Sequence, residues 1–502
     1  VIVHATLEAV TDPSHPAVPD GTPRHAPALS ADDLVAATRG WLLRRGTRPA
    51  RRGAVDSRLV EDGLLFVALP GERTDGHRFL ADAVRSGATA LIVGREPDAA
   101  AGEAPLDSLG DVTVVLAGDP LRALQGVAAA WRRRLDPLVV GVTGSIAKTS
   151  TKEAVAAVLG QRWTTLRSEG NRNNEVGLPL TVLDLGPEHG AAVLEMGMYA
   201  GGEIRDLAAI ARPSIGVVTA VQPVHLSRLG TIEAIEDAKA ELVEALPAAA
   251  DGGVAVLNAD DWRVRRMAQR TRARAMTYGF ADDADVRAAA VESRGFDGMR
   301  FTLVTPAGTR DVAIAGLGRL AVHNALAGAA VGLAAGMDLV EIVPGLAVGG
   351  SAPHRSVVLR AGGVTLVDDA YNASPGSVRA ALELLAGLPG RHVAVLGEMR
   401  ELGDAHDAGH REVGEAAGAT LAELVVVDGA PGGAARGIVE GALAAGLAPD
   451  HVTAVPDAAA AVAALVPRLA DGDVVLVKAS RGVELEHVVD GLLAALGGGP
   501  AS

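Results

Sequence analysis

The sequence predicts an α/β protein of three units, each a mostly parallel sheet covered by helices. Short apolar runs that end in polar residues alternate with helical patterns from about residue 54 to the C-terminus. Hydrophobic residues make up 49% of the chain but aromatics only 2%, so the core must be built from Val, Leu, Ile and Ala, which suits parallel strands under Ala-rich helices. At 502 residues the chain exceeds what one core can hold, and domain-size priors give about three or four domains.

Residues 1–27 carry closely spaced prolines (Pro13, Pro16, Pro19, Pro23) and no sustained periodicity, and are expected to form a disordered tail. A helix is expected from Ala31 to Leu43, opened by Ser30 as N-cap. The first unit, 28–118, holds the strand signals LLFVAL, ATALIVG and VTVVLAG and a helix over Phe79 to Ser86. The second, 119–350, opens with a helix from Pro120 to Arg134. It continues through the strands PLVVGVTG, AAVLEMG and SIGVVTAV and helices near 231–246 and 322–335. The third, 351–502, repeats strand and helix five times, from VTLVDDAY to DVVLVKAS, and reads as a doubly wound, Rossmann-like sheet.

A net charge of −15 argues against nucleic acid or an anionic membrane as the main partner. The basic stretches Arg39 to Arg52 and Arg263 to Arg274 read first as solvated faces. The chain has no Cys, which excludes disulfides, thiolate catalysis and Cys-ligated metals. No apolar run reaches the roughly 18 residues of a membrane span, and no signal-peptide pattern opens the chain, so the cytoplasm is the expected compartment.

The first chemical signal is Gly141-Val-Thr-Gly-Ser-Ile-Ala-Lys-Thr-Ser-Thr151, between an apolar strand and an amphipathic helix. That context is what a phosphate loop requires. N–H groups at the helix N-terminus face the anion, and the helix dipole adds to the attraction. Thr143, Gly144, Ser145, Ala147, Lys148, Thr149 and Ser150 would form the nucleotide cradle. Lys148 would neutralise the β- and γ-phosphates and the Thr149 hydroxyl would ligate Mg²⁺. Ala147 stands where such loops carry Gly, and an ordinary strand–helix turn is the competing reading.

Further motifs follow in order: Asp56-Ser-Arg58, Asp75-Gly-His77, Gly170-Asn-Arg-Asn-Asn-Glu-Val-Gly177, Glu195-Met-Gly197, His225, Asn258-Ala-Asp260, His323-Asn324, Asp368-Asp-Ala-Tyr-Asn-Ala-Ser-Pro375 and Lys478-Ala-Ser-Arg-Gly482. From about residue 54 to 495 the chain resembles the Mur ligases, which extend a UDP-linked muramoyl peptide. The resemblance implies a small UDP-binding N-terminal domain, a central ATPase-like domain with a P-loop and a Rossmann-like C-terminal domain. It also implies ATP and Mg²⁺ as cofactors and a carboxylate activated as an acyl phosphate. Asp369-Ala-Tyr-Asn-Ala-Ser-Pro375 and Gly397-Glu-Met-Arg-Glu-Leu-Gly403 resemble the subgroup that adds D-Ala-D-Ala to UDP-N-acetylmuramoyl-tripeptide. Neither nucleic acid nor an integral membrane segment is expected, and a monomer is.

Carried over residue by residue, the resemblance makes Lys148, Lys239 and His225 catalytic. It gives Thr149, Glu195, His225 and a carbamylated Lys239 to Mg²⁺, and Asn324, Arg355 and Asp369 to the nucleotide. Ser57, Arg58, Asn171, Asn173 and Asn174 would bind the UDP-sugar end. Tyr371, Asn372, Ser480 and Arg481 would meet the incoming dipeptide. Simpler readings stand beside these: Lys239 as a solvated lysine paired with Glu236 or Glu241, Asn324 as a helix cap, Asp369 and the Asn cluster as turn formers. Ala147 and Ala220-Val-Gln222, which departs from the family's Asn-x-Gly, leave open a nucleotide-binding protein with weakened ligation. A sibling ligase with another amino substrate is the remaining alternative.

Overall fold

Each apolar run that ends in a polar residue becomes a buried strand, and three sheets result. The computed structural model describes residues 28–71, 74–223, 226–349, 352–429 and 433–497. The expected tail over 1–27 and the candidate ligand His225 lie outside the described residues.

The first sheet has five strands in the order Trp41–Arg44, Thr113–Leu116, Ala90–Val93, Leu64–Val67, Arg51–Ala54. All pairs are parallel except Trp41–Arg44 with Thr113–Leu116. Ser30 caps a helix as expected, with Asp33 completing a capping box, but the helix runs only over Ala31–Thr38. Arg39 takes a left-handed φ of 54°, Gly40 follows, and the residues expected to extend the helix to Leu43 form the edge strand instead. Gly40 is required there, because a Cβ would stand 2.4 Å from the Leu116 carbonyl oxygen. Helix Pro120–Arg132 joins this unit to the next, and its buried residues belong to a core that runs unbroken from Leu65 and Ile92 into Leu178 and Leu194.

The central sheet has nine strands. From Thr165–Arg167 through Ala191–Glu195, Leu138–Thr143, Ile215–Val218, Val254–Asn258 and Arg274–Gly279 to Val286–Ser293 all pairs are parallel. Met299–Thr305 and Gly308–Ile314 then extend it antiparallel, an addition the apolar pattern did not announce. The third sheet runs Val357–Ala361, Val364–Asp368, Asp473–Lys478, Arg391–Gly397, Glu423–Val427, Val452–Val455. It is parallel apart from its first pair. The chain passes from the central to the third unit once, between helix Leu339–Val348 and strand Val357–Ala361. The strands of the three sheets fall within 28–118, 119–350 and 351–502 respectively.

At the carboxyl end of Leu138–Thr143 the backbone makes the turn that positions the site. Gly144 has φ 150°, and a Cβ there would lie 1.8 Å from Thr219 Oγ1. Ala147 has φ 63° and ψ 4° and leads into helix Lys148–Leu159. The left-handed conformation costs an L-residue roughly 1–2 kcal/mol, so the alanine is held by its surroundings. Thr219 Oγ1 donates to the Ile146 carbonyl at 2.6 Å, and Ser145 N and Oγ donate to the carbonyls of Ala220 and Gln222 at 2.8 and 3.0 Å. Ala147→Gly is therefore expected to stabilise the fold by about 0.5 kcal/mol, the strain relieved less the entropy added to the unfolded chain. Gly144→Ala is expected to destabilise it by at least ~2 kcal/mol. Equilibrium urea unfolding of both variants against the parent checks the two signs.

Candidate functional site

In open α/β sheets ligands bind outside the carboxyl ends of the parallel strands, and here two sheets aim those ends at one cavity. Its volume is about 970 Å³, and it is lined by Ser145–Ser150 and Glu195 from the central sheet, Lys239 from helix Ile232–Glu244, and Arg355, Asp369, Tyr371 and Lys478 from the third unit. The units approach closely beside it, where a Cβ on Gly376 would lie 2.9 Å from Gln222 Oε1.

Lys148 opens the phosphate-loop helix and its ammonium donates to the Gly144 carbonyl at 2.9 Å. Burial pushes its pKa below the usual lysine range, the Glu195 charge opposes this, and Arg355 adds to it. Glu195, the last residue of its strand, is 2% exposed. Its Oε1 accepts from Asn173 Nδ2 at 2.8 Å, while Oε2 is buried without a hydrogen-bond partner. A buried acceptor left unmatched is costly, so this oxygen has capacity for a further partner from the cavity. Glu195 is fixed from behind: its N–H donates to Ser168 Oγ at 3.1 Å, and Lys152, buried on the phosphate-loop helix, donates to the Ser168 carbonyl at 2.5 Å.

Lys239 is 2% exposed. The carboxylates expected to pair with it are engaged elsewhere. Glu236 binds Arg266 and sits 3.6 Å from Arg263, and Glu241 accepts from the N–H groups of Gly202 and Arg205 at 2.6 and 3.0 Å, capping helix Glu203–Ala211. The solvated-lysine reading is thereby removed. Burial first, and then repulsion by Lys148, hold the Lys239 amine well below the ordinary lysine range.

On the opposite wall Lys478 donates to Asp369 Oδ2 at 2.5 Å and to the Asn372 carbonyl at 2.9 Å. Burial lowers its pKa, Asp369 opposes this, and Arg355 adds to it. Asp369 Oδ1 accepts from Ser356 N at 3.2 Å. The Arg355 guanidinium lies 4.2 Å from the centre of the Tyr371 ring, and its buried Nε has no partner. Arg481 also faces Tyr371, at 5.4 Å, and pairs with Glu486 at 2.7 Å.

Lys148, Thr149, Ser150, Asn171, Asn173, Asn174, Glu195, Lys239, Arg355, Asp369, Tyr371, Asn372, Ser480 and Arg481 thus share one cavity. Other candidates lie elsewhere or are committed. Ser57 and Arg58 are not on the cavity wall, and Arg58 pairs with Asp56 at 2.6 Å in a short exposed turn. Asn324 is buried in the middle of helix Gly318–Ala334 rather than capping it, and its Oδ1 accepts from Thr151 Oγ1 at 2.9 Å. Thr143 is fully buried with its hydroxyl on the Met196 carbonyl. Asn174 Oδ1 accepts from Gly177 N at 2.9 Å and so orders its own loop. The Ser480 hydroxyl accepts from Arg400 N at 2.9 Å and faces the Ala373 carbonyl at 3.4 Å. Lys478 and Arg400 fall inside motifs quoted from the sequence but carry no role there; a lysine ending an apolar strand is the available signal for the first.

Comparison with known proteins agrees with this architecture. Residues 54–132 match the Mur ligase family catalytic domain, 142–332 the Mur ligase middle domain, and 354–481 the glutamate ligase domain of Mur ligases. The UDP-N-acetylmuramoyl-tripeptide–D-alanyl-D-alanine ligase of Mycobacterium tuberculosis is 39% identical over 473 residues, covering 88% of this chain and 91% of that one. The enzyme of the same name from Escherichia coli is 36% identical over 445 residues, covering 87% and 92%. Among solved structures, MurF from Acinetobacter baumannii superposes with a TM-score of 0.82 at 30% identity, covering 93% of this chain and 99% of that one. MurF ligase from Thermotoga maritima in complex with ADP gives 0.77 at 29%, covering 89% and 98%. Three matched domains in order, and relatives covered almost end to end, establish that this chain belongs to the Mur ligase family.

Proposed function

We infer that this chain is an ATP-dependent amide-bond-forming ligase that adds D-Ala-D-Ala to UDP-N-acetylmuramoyl-tripeptide in peptidoglycan precursor synthesis. The observation that carries the reading is the shared cavity, where the phosphate-loop lysine and Lys239 face the third unit's Asp369, Tyr371 and Lys478. The relatives' common name supplies the substrates. No helix among the described residues is long and apolar enough to cross a membrane, and we place the enzyme in the cytoplasm as a monomer.

The reaction runs in two steps. The tripeptide's terminal carboxylate oxygen attacks the γ-phosphorus of ATP, the bond to the bridging oxygen breaks, and ADP leaves an acyl phosphate. The unprotonated amine of D-Ala-D-Ala then attacks the acyl carbon, phosphate departs with the bonding pair, and the amine's proton passes to water. Both steps concentrate negative charge, so fixed cations contribute more than a strong base. Lys148 and the N–H groups opening its helix hold the terminal phosphates, and Arg355 reaches them from the third unit. Asp369 and Asn324 serve the nucleotide, the latter through the helix it braces. Asn171 and Asn173, with Ser57 and Arg58 on the N-terminal unit, serve the UDP-substrate. Tyr371, Asn372 and Arg481 face the dipeptide, and Ser480 orders their loop.

The donors suit a hard divalent cation. The orphaned Glu195 oxygen is a hard oxygen acceptor without a hydrogen-bond partner, and the Thr149 hydroxyl lies on the same cavity wall. Glu195 and Thr149, with His225 and a carbamylated Lys239, would hold Mg²⁺, which when bound supplies positive charge against the phosphates. The Lys239 amine, without a partner among the described residues and held below the ordinary lysine range, is the nucleophile such a modification needs: its lone pair bonds the carbon of CO₂ and one proton is lost to water, leaving an anionic carbamate.

Phosphate release with ATP, UDP-muramoyl tripeptide and D-Ala-D-Ala is expected, and replacing the dipeptide by free D-Glu or a diamino acid should abolish it. ATP binding without turnover would favour the weakened-ligase alternative. Lys239→Ala is expected to lower turnover by at least ~100-fold without rescue by bicarbonate, and to lose incorporation of isotopically labelled bicarbonate seen in the parent. A fully active variant would remove the carbamate. Glu195→Gln, which keeps shape and removes charge, should lower kcat by roughly 100-fold or more while the melting temperature stays near that of the parent.

A further inference from the structure

We propose that Arg400 reads the terminal carboxylate of the incoming dipeptide and so sets the enzyme's requirement for a free C-terminal acid. The proposal rests on the dipeptide reading above and goes beyond it by naming the recognising group.

Five arginines line the cavity: Arg122, Arg319, Arg355, Arg400 and Arg481. Four are committed. Arg122 faces Gln125 and Asp206, each at 3.3 Å. Arg319 stacks on Phe280, 3.8 Å from the ring centre, on the central unit. Arg355 lies over Tyr371 and is close enough to Lys148 to affect its charge, which places it toward the phosphates. Arg481 is tied to Glu486 at 2.7 Å.

Arg400 differs in how it is held. Its Nε donates to Glu398 Oε2 at 2.9 Å and its backbone N–H to Ser480 Oγ at 2.9 Å. Among the described residues no hydrogen bond engages its two terminal Nη groups. The guanidinium rests over Gly482, where a Cβ would fall 2.0 Å from Nη1, so the absence of a side chain at 482 makes its seat. A guanidinium pinned at Nε and at its own backbone, with both amino groups open, is a fork oriented in advance for one carboxylate, and bidentate Arg–carboxylate pairing is among the stronger charge-assisted contacts. The next residue, Glu401, turns the chain with a left-handed φ of 65° and lines the same wall. Tyr371 and Asn372 line that wall as well. A dipeptide whose acid end sits on Arg400 therefore has its amine end free to face the acyl group.

The test is steady-state kinetics of the full chain with each substrate varied in turn, using D-Ala-D-Ala and its C-terminal carboxamide. The parent should discriminate against the carboxamide by roughly 100-fold in kcat/KM. Arg400→Gln should raise the KM for D-Ala-D-Ala by about 30- to 100-fold, leave the KM values for ATP and UDP-muramoyl tripeptide within ~3-fold, and abolish discrimination between acid and amide. Arg400→Lys, which keeps the charge and loses the fork, should fall between. The proposal is overturned if the parent uses the carboxamide as well as the acid, if Arg400→Gln keeps the discrimination, or if the loss falls on ATP or the UDP-substrate. Failure of the functional reading looks different: the parent itself would release no phosphate in response to the dipeptide.

Discussion

The site is organised by a shortage of negative charge. Lys148 and Lys239 are brought out of water close enough to repel one another, with Glu195 as the carboxylate that opposes the burial of Lys148. On the facing wall Lys478 spends its attraction on Asp369, and Arg355 depresses both Lys148 and Lys478. Desolvating cations without balancing anions is expensive. A fold can sustain it where the missing anions arrive with the substrates, as a triphosphate and a carboxylate would. The surrounding framework serves to hold these cations still. The strained turn at Ala147 is tied down by Thr219 and Ser145, Ser168 and Lys152 back up Glu195, and Glu241 locks the helix that carries Lys239 to its neighbour.

How much of this the sequence announces depends on the range of the interaction involved. Strand–turn–helix at the phosphate loop is local, and Gly144 with Lys148 marks it within eleven residues. The parallel strands are equally local signals, because burial on both faces leaves unbroken Val and Leu runs. Trp41 to Arg44 misleads for the same reason: three apolar residues after a capped helix continue its pattern, and only pairing with Thr113–Leu116 makes them a strand. The last parallel strand, Val286–Ser293, and the antiparallel extension over 299–314 are hidden because Ala and exposed polar residues blur their alternation.

Site residues divide the same way. Glu195 ends an apolar strand and Asp369 directly follows one, so both can be picked out from the text of the chain. That Lys239 has no carboxylate partner among the described residues cannot, since it depends on Arg266 and Gly202 drawing Glu236 and Glu241 away. Nor could Ser480 be recognised as a brace or Arg400 as a free fork, because each is defined by a contact about eighty residues distant in the chain. Family resemblance supplied the order of the motifs; the division between groups that touch the cavity and groups that hold it open is a property of the packing.

The single passage of the chain between the central and third units has a thermodynamic consequence. With one covalent crossing and a broad cavity between them, a nucleotide gripped from both sides, as proposed, would act as a removable crosslink. Its binding energy would then be divided between holding the ligand and suppressing independent motion of the third unit. By mass action the resistance of that unit to unfolding and to proteolysis should track nucleotide concentration, while the first and central units, fused through one core, respond much less.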